Sequence, residues 1–231
     1  MKVLLLNGSP HEKGCTYTAL CEVAGVLEKN GIETEIFQIG NKPVAGCIGC
    51  GSCRKIGHCV FEGGVNEFVE KAKEADGFIF GSPVYYANAS GQISSFLDRA
   101  FYSGSAAFAY KPGAAVASCR RAGTTATLDQ LNKYFTINCM PVVSSQYWNM
   151  VHGNTPEEVV QDKEGLQIMR TLGSNMAWLL HCIQAGKEQG IEGKNKLYPL
   201  RKERVCKGRR CLLGTSSAFF VGEFYVRRII L

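Results

Sequence analysis

No stretch of this 231-residue chain approaches the roughly 20 unbroken apolar residues of a membrane span, so a soluble protein is expected. Met1–Leu6 passes at once into an apolar run of strand type, with neither a basic segment nor a small-residue cleavage site, so no secretory signal is read there. A reducing, cytoplasmic compartment follows as the expectation, and clustered cysteines are then read as metal or redox groups rather than as a disulfide framework. Two nucleotide fingerprints are missing as well. Neither Gly-x4-Gly-Lys-Ser/Thr nor Gly-x-Gly-x-x-Gly occurs, which disfavours ATP and a Rossmann-bound dinucleotide. There is no internal repeat. The net charge of +6 is not a property of the body: residues 1–185 carry 15 Lys and Arg against 16 Asp and Glu, whereas residues 186–231 carry 11 against 4. A neutral body with no aromatic RNA-binding signature argues against nucleic acid as its partner.

What is present is an alternation. KVLLLNG is an apolar run of strand length, and LCEVAGVLEKNG has helical apolar spacing and ends in a glycine suited to close a helix. IETEIFQI alternates as a strand does, and VNEFVEKAKEA is an amphipathic helix. GFIFGSP, GAAVASC and MPVVSSQ read as three more buried strands, separated by the helical segments GQISSFLDRAFY and TTATLDQLNKYF. Thr155 followed by Glu158 marks a helix start, from which one long helix is expected between Pro156 and Ala185. Five strands alternating with helices predict an α/β domain over residues 1–185, with a parallel sheet covered on both faces and ligands at the carboxyl ends of the strands. Residues 186–231 form a separate basic extension in this reading.

Three strand ends carry the chemistry. NGSPHEKGCT sets Ser9, Pro10, Gly14, Cys15 and Thr16 between a strand and a helix N-terminus, where free backbone N–H groups and hydroxyls favour an anion such as a phosphate. GSPVYYANASGQ places Ser82, Pro83, Val84, Tyr85, Tyr86 and Asn88 at the next site, and SCRRAGTT adds Ser118, Arg120, Arg121 and Gly123. Singly, each fits an ordinary βα turn. Together they can surround one ligand whose flat ring meets aromatic faces and whose polar edge meets backbone amides.

The fourth feature is CIGCGSCRKIGHC, with Cys47, Cys50, Cys53 and Cys59. Four thiolates this close can serve an iron–sulfur centre, a closed tetrahedral zinc site, or no metal at all, remaining free or buried thiols. Gly49 and Gly51 let the backbone bend between them. Cys21, Cys119, Cys139 and Cys182 fall in apolar or helical contexts and are expected to pack in the core.

Taken with YWNMVHG, these motifs make residues 1–185 resemble the flavodoxin-like NAD(P)H-dependent FMN reductase family and its iron–sulfur flavoprotein branch. The resemblance implies FMN, a three-layer flavodoxin-like fold with a five-stranded parallel sheet of order 2-1-3-4-5, and a homodimer or homotetramer. It implies that Ser9, Gly14, Cys15 and Thr16 hold the FMN phosphate, with Cys15 where many relatives have Asn. Ser82, Pro83, Val84, Tyr85, Tyr86 and Asn88 would line the isoalloxazine, and Ser118, Arg120, Arg121 and Gly123 would close its far side. Trp148 and His152 would reach the flavin or a subunit interface. By the same resemblance the cysteine run would bind a [4Fe–4S] cluster.

Three functions stay open on this reading. One is an oxidoreductase passing electrons from reduced nicotinamide through FMN to a small acceptor such as a quinone or free flavin, with no side chain needed as acid, base or nucleophile. Another is a two-centre electron carrier served by a ferredoxin-like partner, and the last is a non-enzymatic sensor with a zinc or thiol site. The ending after YPLRKERV departs from the family pattern. Its apolar FFVGEFYV is expected to be buried or paired, whether it arises from a reading-frame change or as an extension packing on a neighbouring subunit.

Overall fold

Runs of Val, Leu, Ile and Phe with no polar alternation need cover on both sides, and the sheet gives it to them. The computed structural model describes residues 1–193; the expectation for FFVGEFYV lies outside the described residues. Strands β1 (Lys2–Asn7), β2 (Glu33–Gln38) and β3 (Gly77–Tyr85) are followed by a short β4 (Asn88–Ala89), then β5 (Gly113–Cys119) and β6 (Met150–His152). The parallel order is β2-β1-β3-β5-β6, with β4 folded back antiparallel on β3, so the expected 2-1-3-4-5 arrangement holds once that hairpin strand is set apart.

Side chains alternate along each strand between two cores. Leu4, Leu6, Phe78, Phe80, Ala115 and Ala117 belong to the core that includes residues of α3 (Val65–Glu74), α4 (Gly91–Gly104) and α5 (Thr124–Ile137). Val3, Leu5, Ile79, Ala114 and Val116 pack with α1 (Cys15–Lys29) and α7 (Lys163–Glu188). This is the three-layer flavodoxin-like architecture. No described helix is long and apolar enough to cross a membrane.

Two expected elements are placed differently. The apolar MPVVSSQ makes only a single bridge, Val142 to Gly113, and the fifth strand is Met150–His152 beside Ala117–Cys119. The advance of four positions along β5 from Gly113 to Ala117 thus faces an advance of eight in the partner, from Val142 to Met150, and the surplus bulges out as a loop with Tyr147 and Trp148 exposed. The expected single helix is two. Thr155 caps α6 (Pro156–Gln161) as its sequence indicated, but Asp162 leaves the helix at ψ 78° and its Oδ1 accepts from Gly165 N (2.9 Å), starting α7. Its Oδ2 accepts from His152 N (2.7 Å), so the break ties β6 to α7.

β2 is a sheet edge, and charges protect it. Glu35 lies 2.7 Å from Lys2 and 2.8 Å from Lys71, and these hydrogen-bonded ammonium groups, Lys2 foremost, hold its carboxyl below the usual carboxylate range. A depressed carboxyl stabilises the fold above its unfolded value of about 4.3, and that contribution fades as pH falls through the folded value. Glu35→Gln is therefore expected to cost about 0.5–1 kcal/mol at pH 7 and to converge with the parent in acid. Thermal melts across pH check this.

Candidate active site

The loop after β1 is built from within. Asn7 Oδ1 accepts from Ser9 N (3.1 Å), Ser9 Oγ accepts from His11 N (3.1 Å), and Gln38 Nε2 on β2 donates to Ser9 O (2.7 Å). The loop ends at Gly14, where α1 starts with no side-chain cap and no acidic residue in its first turn. α5 starts in the same way after Gly123. By contrast Ser90 caps α4, accepting from Ile93 N (3.3 Å), and Thr155 and Asp162 cap α6 and α7. Two bare helix ends at one edge of the sheet leave backbone donors facing that edge, the condition under which an anion is held.

The three strand-end loops are brought together. Gly8 N donates to Gly81 O (2.8 Å), and Ser90 Oγ donates to Gly8 O (2.9 Å), locking the loop after β1 to the loop after β3. Thr16 Oγ1 and Ser118 Oγ, both buried, stand 2.7 Å apart and lock the loop after β1 to the end of β5. Gly123 closes the loop after β3 against the loop after β5: at φ +93° it lies so near the hairpin that a Cβ would come within 2.6 Å of Ala87 Cα. Ser82 Oγ donates to Pro83 O (2.8 Å) and accepts from Ser90 N (3.0 Å), so its hydroxyl braces the loop from behind. Pro83 and Val84 are half-buried, while Tyr85, Tyr86, Asn88, Arg120 and Arg121 are exposed around them.

Tyr85 pairs with Asn88 across a two-residue hairpin in which Tyr86 and Ala87 both have positive φ, 50° and 59°. Side chains in that region cost about 1–2 kcal/mol each, and such positions cluster at ligand clamps. Nothing in Tyr85–Tyr86–Ala87–Asn88 signals it, because tight hairpins of this kind are normally marked by Asn-Gly or Asp-Gly. Ser90 was also missed, although a Ser before a helical apolar run is a capping signal.

The cysteine run leaves the carboxyl end of β2 but does not stay there. Lys42 O accepts from Gln92 Nε2 near the start of α4, Arg99 Nη1 donates to Ala45 O (3.3 Å), and Cys53 Sγ donates to Tyr102 O (3.6 Å). From Gln92 to Tyr102 is about 15 Å of helix at 1.5 Å per residue, running away from the strand-end loops. The cysteines, although they follow β2, thus stand away from the strand-end loops. They line a cavity against the last turns of α4 with Arg99, Tyr102 and Ser103. Gly49 and Gly51, at φ 65° and 70°, turn the backbone between them, and α2 (Cys53–Ile56) adds a single helical turn. Donors at Ser52 pull the Cys50 thiol below its ordinary value.

Among the described residues no three His, Cys, Asp or Glu side chains converge as ligands for one metal ion. A tetrahedral zinc needs four sulfurs within about 2.3 Å of a single point, whereas an iron–sulfur cluster spreads its thiolates over several iron atoms. Four cysteines around a shared cavity suit the second demand. Of the other cysteines, Cys119 is buried and Cys21 half-buried, while Cys139 and Cys182 are exposed and not core residues as expected. Trp148 is exposed, stacked edge-on against Tyr147 at 4.8 Å, and His152 ends β6 beside Asp162.

The family model described as NADPH-dependent FMN reductase matches residues 1–155, the span that holds all four loops. The chain belongs to that family. An iron-sulfur flavoprotein of Methanocaldococcus jannaschii is 34% identical over 197 residues, covering 80% of this chain and 100% of the relative. One from Methanosarcina thermophila is 29% identical, over 82% and 100% respectively. Within the FMN reductase family the chain therefore stands in the iron-sulfur flavoprotein branch. Among solved structures, an NAD(P)H:quinone oxidoreductase from Methanothermobacter marburgensis aligns with a TM-score of 0.59 at 17% identity, covering 76% of this chain and 96% of that one, a likeness of fold. The chain is an FMN-dependent flavin oxidoreductase.

Proposed function

We propose that this oxidoreductase carries two redox groups, FMN at the strand-end loops and an iron–sulfur cluster of the [4Fe–4S] kind on Cys47, Cys50, Cys53 and Cys59, and that a ferredoxin-like protein exchanges electrons with it. FMN when bound supplies the exchange between electron pairs and single electrons, and the cluster supplies one-electron transfer. The observation that carries the reading is the cavity itself, where four thiols share one lining with the buried cation of Arg99.

For FMN, the bare ends of α1 and α5 fit the anionic and carbonyl groups of the cofactor. Ser9, Pro10, Gly14, Cys15 and Thr16 surround the first of these, and Cys15 serves through its backbone N–H. Its thiol is pushed up by burial above all and has no role as an anion. Pro83, Val84, Tyr85, Tyr86 and Asn88 offer a half-buried floor and aromatic rim for the ring. Arg120, Arg121 and Gly123 lie on its far side. Ser82 and Ser118 act one layer behind, since their hydroxyls are engaged with Pro83, Ser90 and Thr16.

Protein purified and held anaerobically is expected to contain one FMN with about four iron and four acid-labile sulfide per chain. Stoichiometric zinc, or FMN without iron after reconstitution, sinks the two-centre reading and leaves the flavin enzyme. A second reading, with reduced nicotinamide as donor and a small molecule such as a quinone as acceptor, is favoured by the open rim, where Tyr85 is 45% exposed and Tyr86 fully so. Rapid bleaching of the flavin by NADPH, set beside its rate with reduced ferredoxin, separates the two donors.

A further inference from the structure

An arginine stands on the inward stripe of α4, where Ile93, Phe96, Leu97 and Ala100 are all buried. Arg99 is 2% exposed. Among the described residues it forms no ion pair with any carboxylate, although carboxylates are the usual partners of buried guanidinium groups. Its Nη2 donates to Phe61 O (2.5 Å) and Glu62 O (2.7 Å), its Nη1 to Ala45 O, and its Nε to Cys59 Sγ (3.3 Å). The plane also lies over the Phe61 ring at 5.5 Å.

Carbonyl oxygens satisfy the hydrogen bonds of a guanidinium but not its charge. A buried cation without an anion is costly, and the one candidate anion in contact is sulfur. We infer that Arg99 is a potential-setting residue: its fixed positive charge and its Nε–H···Sγ bond to Cys59 favour the reduced state of the centre bound by the four cysteines. The inference rests on the cluster reading above.

One-electron reduction of a thiolate-bound cluster adds one negative charge, and the couple responds to net charge and to hydrogen bonds on the sulfurs. A cation held dry and close stabilises the more negative member of the pair. The three carbonyls have a part in this too. They come from both ends of the loop, Ala45 before the cysteines and Phe61 and Glu62 after them, so they fix the guanidinium against Cys59 and leave it no freedom to swing into water. Lysine can keep the charge but cannot reproduce this planar fork.

The test uses the full chain with FMN bound, reconstituted anaerobically with iron and sulfide, as parent, Arg99→Lys and Arg99→Gln. Iron and sulfide per chain are measured first, and the midpoints of the cluster and of FMN are then read in one dithionite titration followed by electron paramagnetic resonance and visible absorbance. In Arg99→Gln the cluster's reduction equilibrium is expected to shift at least tenfold toward the oxidised form, 59 mV for a one-electron couple. Arg99→Lys should shift it less, and the FMN midpoint should stay in place in both. A cluster midpoint equal to the parent's in both variants overturns the inference. So does loss of iron from both with FMN retained, which makes Arg99 an assembly residue only. A parent that takes up no iron rejects the cluster reading itself, a result visible before any variant is titrated.

Discussion

Gly8→Val is expected to yield a chain that retains little FMN and melts about 6–12 °C below the parent, from a loss of about 3 kcal/mol at the 2–4 °C per kcal/mol of a domain this size. Gly8 is the first residue after β1, buried, with its N–H on Gly81 O and its carbonyl on Ser90 Oγ. A Cβ there would lie 2.6 Å from Ile93 Cδ1, 2.8 Å from Ile93 Cβ and 2.8 Å from Gly81 O. Two of those atoms cannot yield cheaply. One is backbone in the central strand, and the other is the root of a side chain fixed in the core. The strand must separate from its neighbour, and the loop it leads into loses its lock to the loop after β3. Thermal melts with flavin-to-protein ratios measure both effects. Parent-like values for the two would show that the loops bind flavin independently of that lock.

Gly123→Ala is the second large effect, and it should fall more on binding than on folding. At φ +93° an alanine is strained by about 1–2 kcal/mol, and its Cβ would stand 2.6 Å from Ala87 Cα and 2.8 Å from Val84 Cγ1. The hairpin carrying Tyr85 and Tyr86 must then move off the start of α5. FMN affinity is expected to fall at least tenfold, about 1.4 kcal/mol, in a fluorescence titration of apoprotein. Gly25→Ala is the control. Gly25 lies inside α1 with open space where its Cβ would go, so that change is expected to be neutral or to stabilise by about 0.5–1 kcal/mol. Equal losses of affinity in the two variants would remove the hairpin contact as the cause.

The architecture was legible because most of it is local. β1, β3 and β5 are apolar runs of strand length, and α1, α3, α4 and α5 lie where the helical spacing put them. The displaced fifth strand shows the limit. Pro141–Val142–Val143 looks more like a strand than Met150–Val151–His152, but Pro141 has no N–H to give. Pairing resumes only where Ala117 N finds Asn149 O (3.0 Å). Three residues beside a bulge carry no period to read. Asp162 was hidden for a similar reason, since an acidic residue within a helical pattern reveals its role as a break only when His152 N and Gly165 N are seen on its two oxygens.

By itself the sequence determined which chemistry each strand end offers and that four cysteines lie within one short loop, because these depend on residue type and spacing along the chain. Arg99 falls on the apolar stripe of its helix, so its oddity was there to be read. Only the tertiary structure decided that the loops after β1, β3 and β5 share hydrogen bonds, and that the cysteines descend along α4 to an arginine 40 residues beyond Cys59. Those relations join segments far apart in sequence. They are set by the packing of helix on sheet, for which no local periodicity codes.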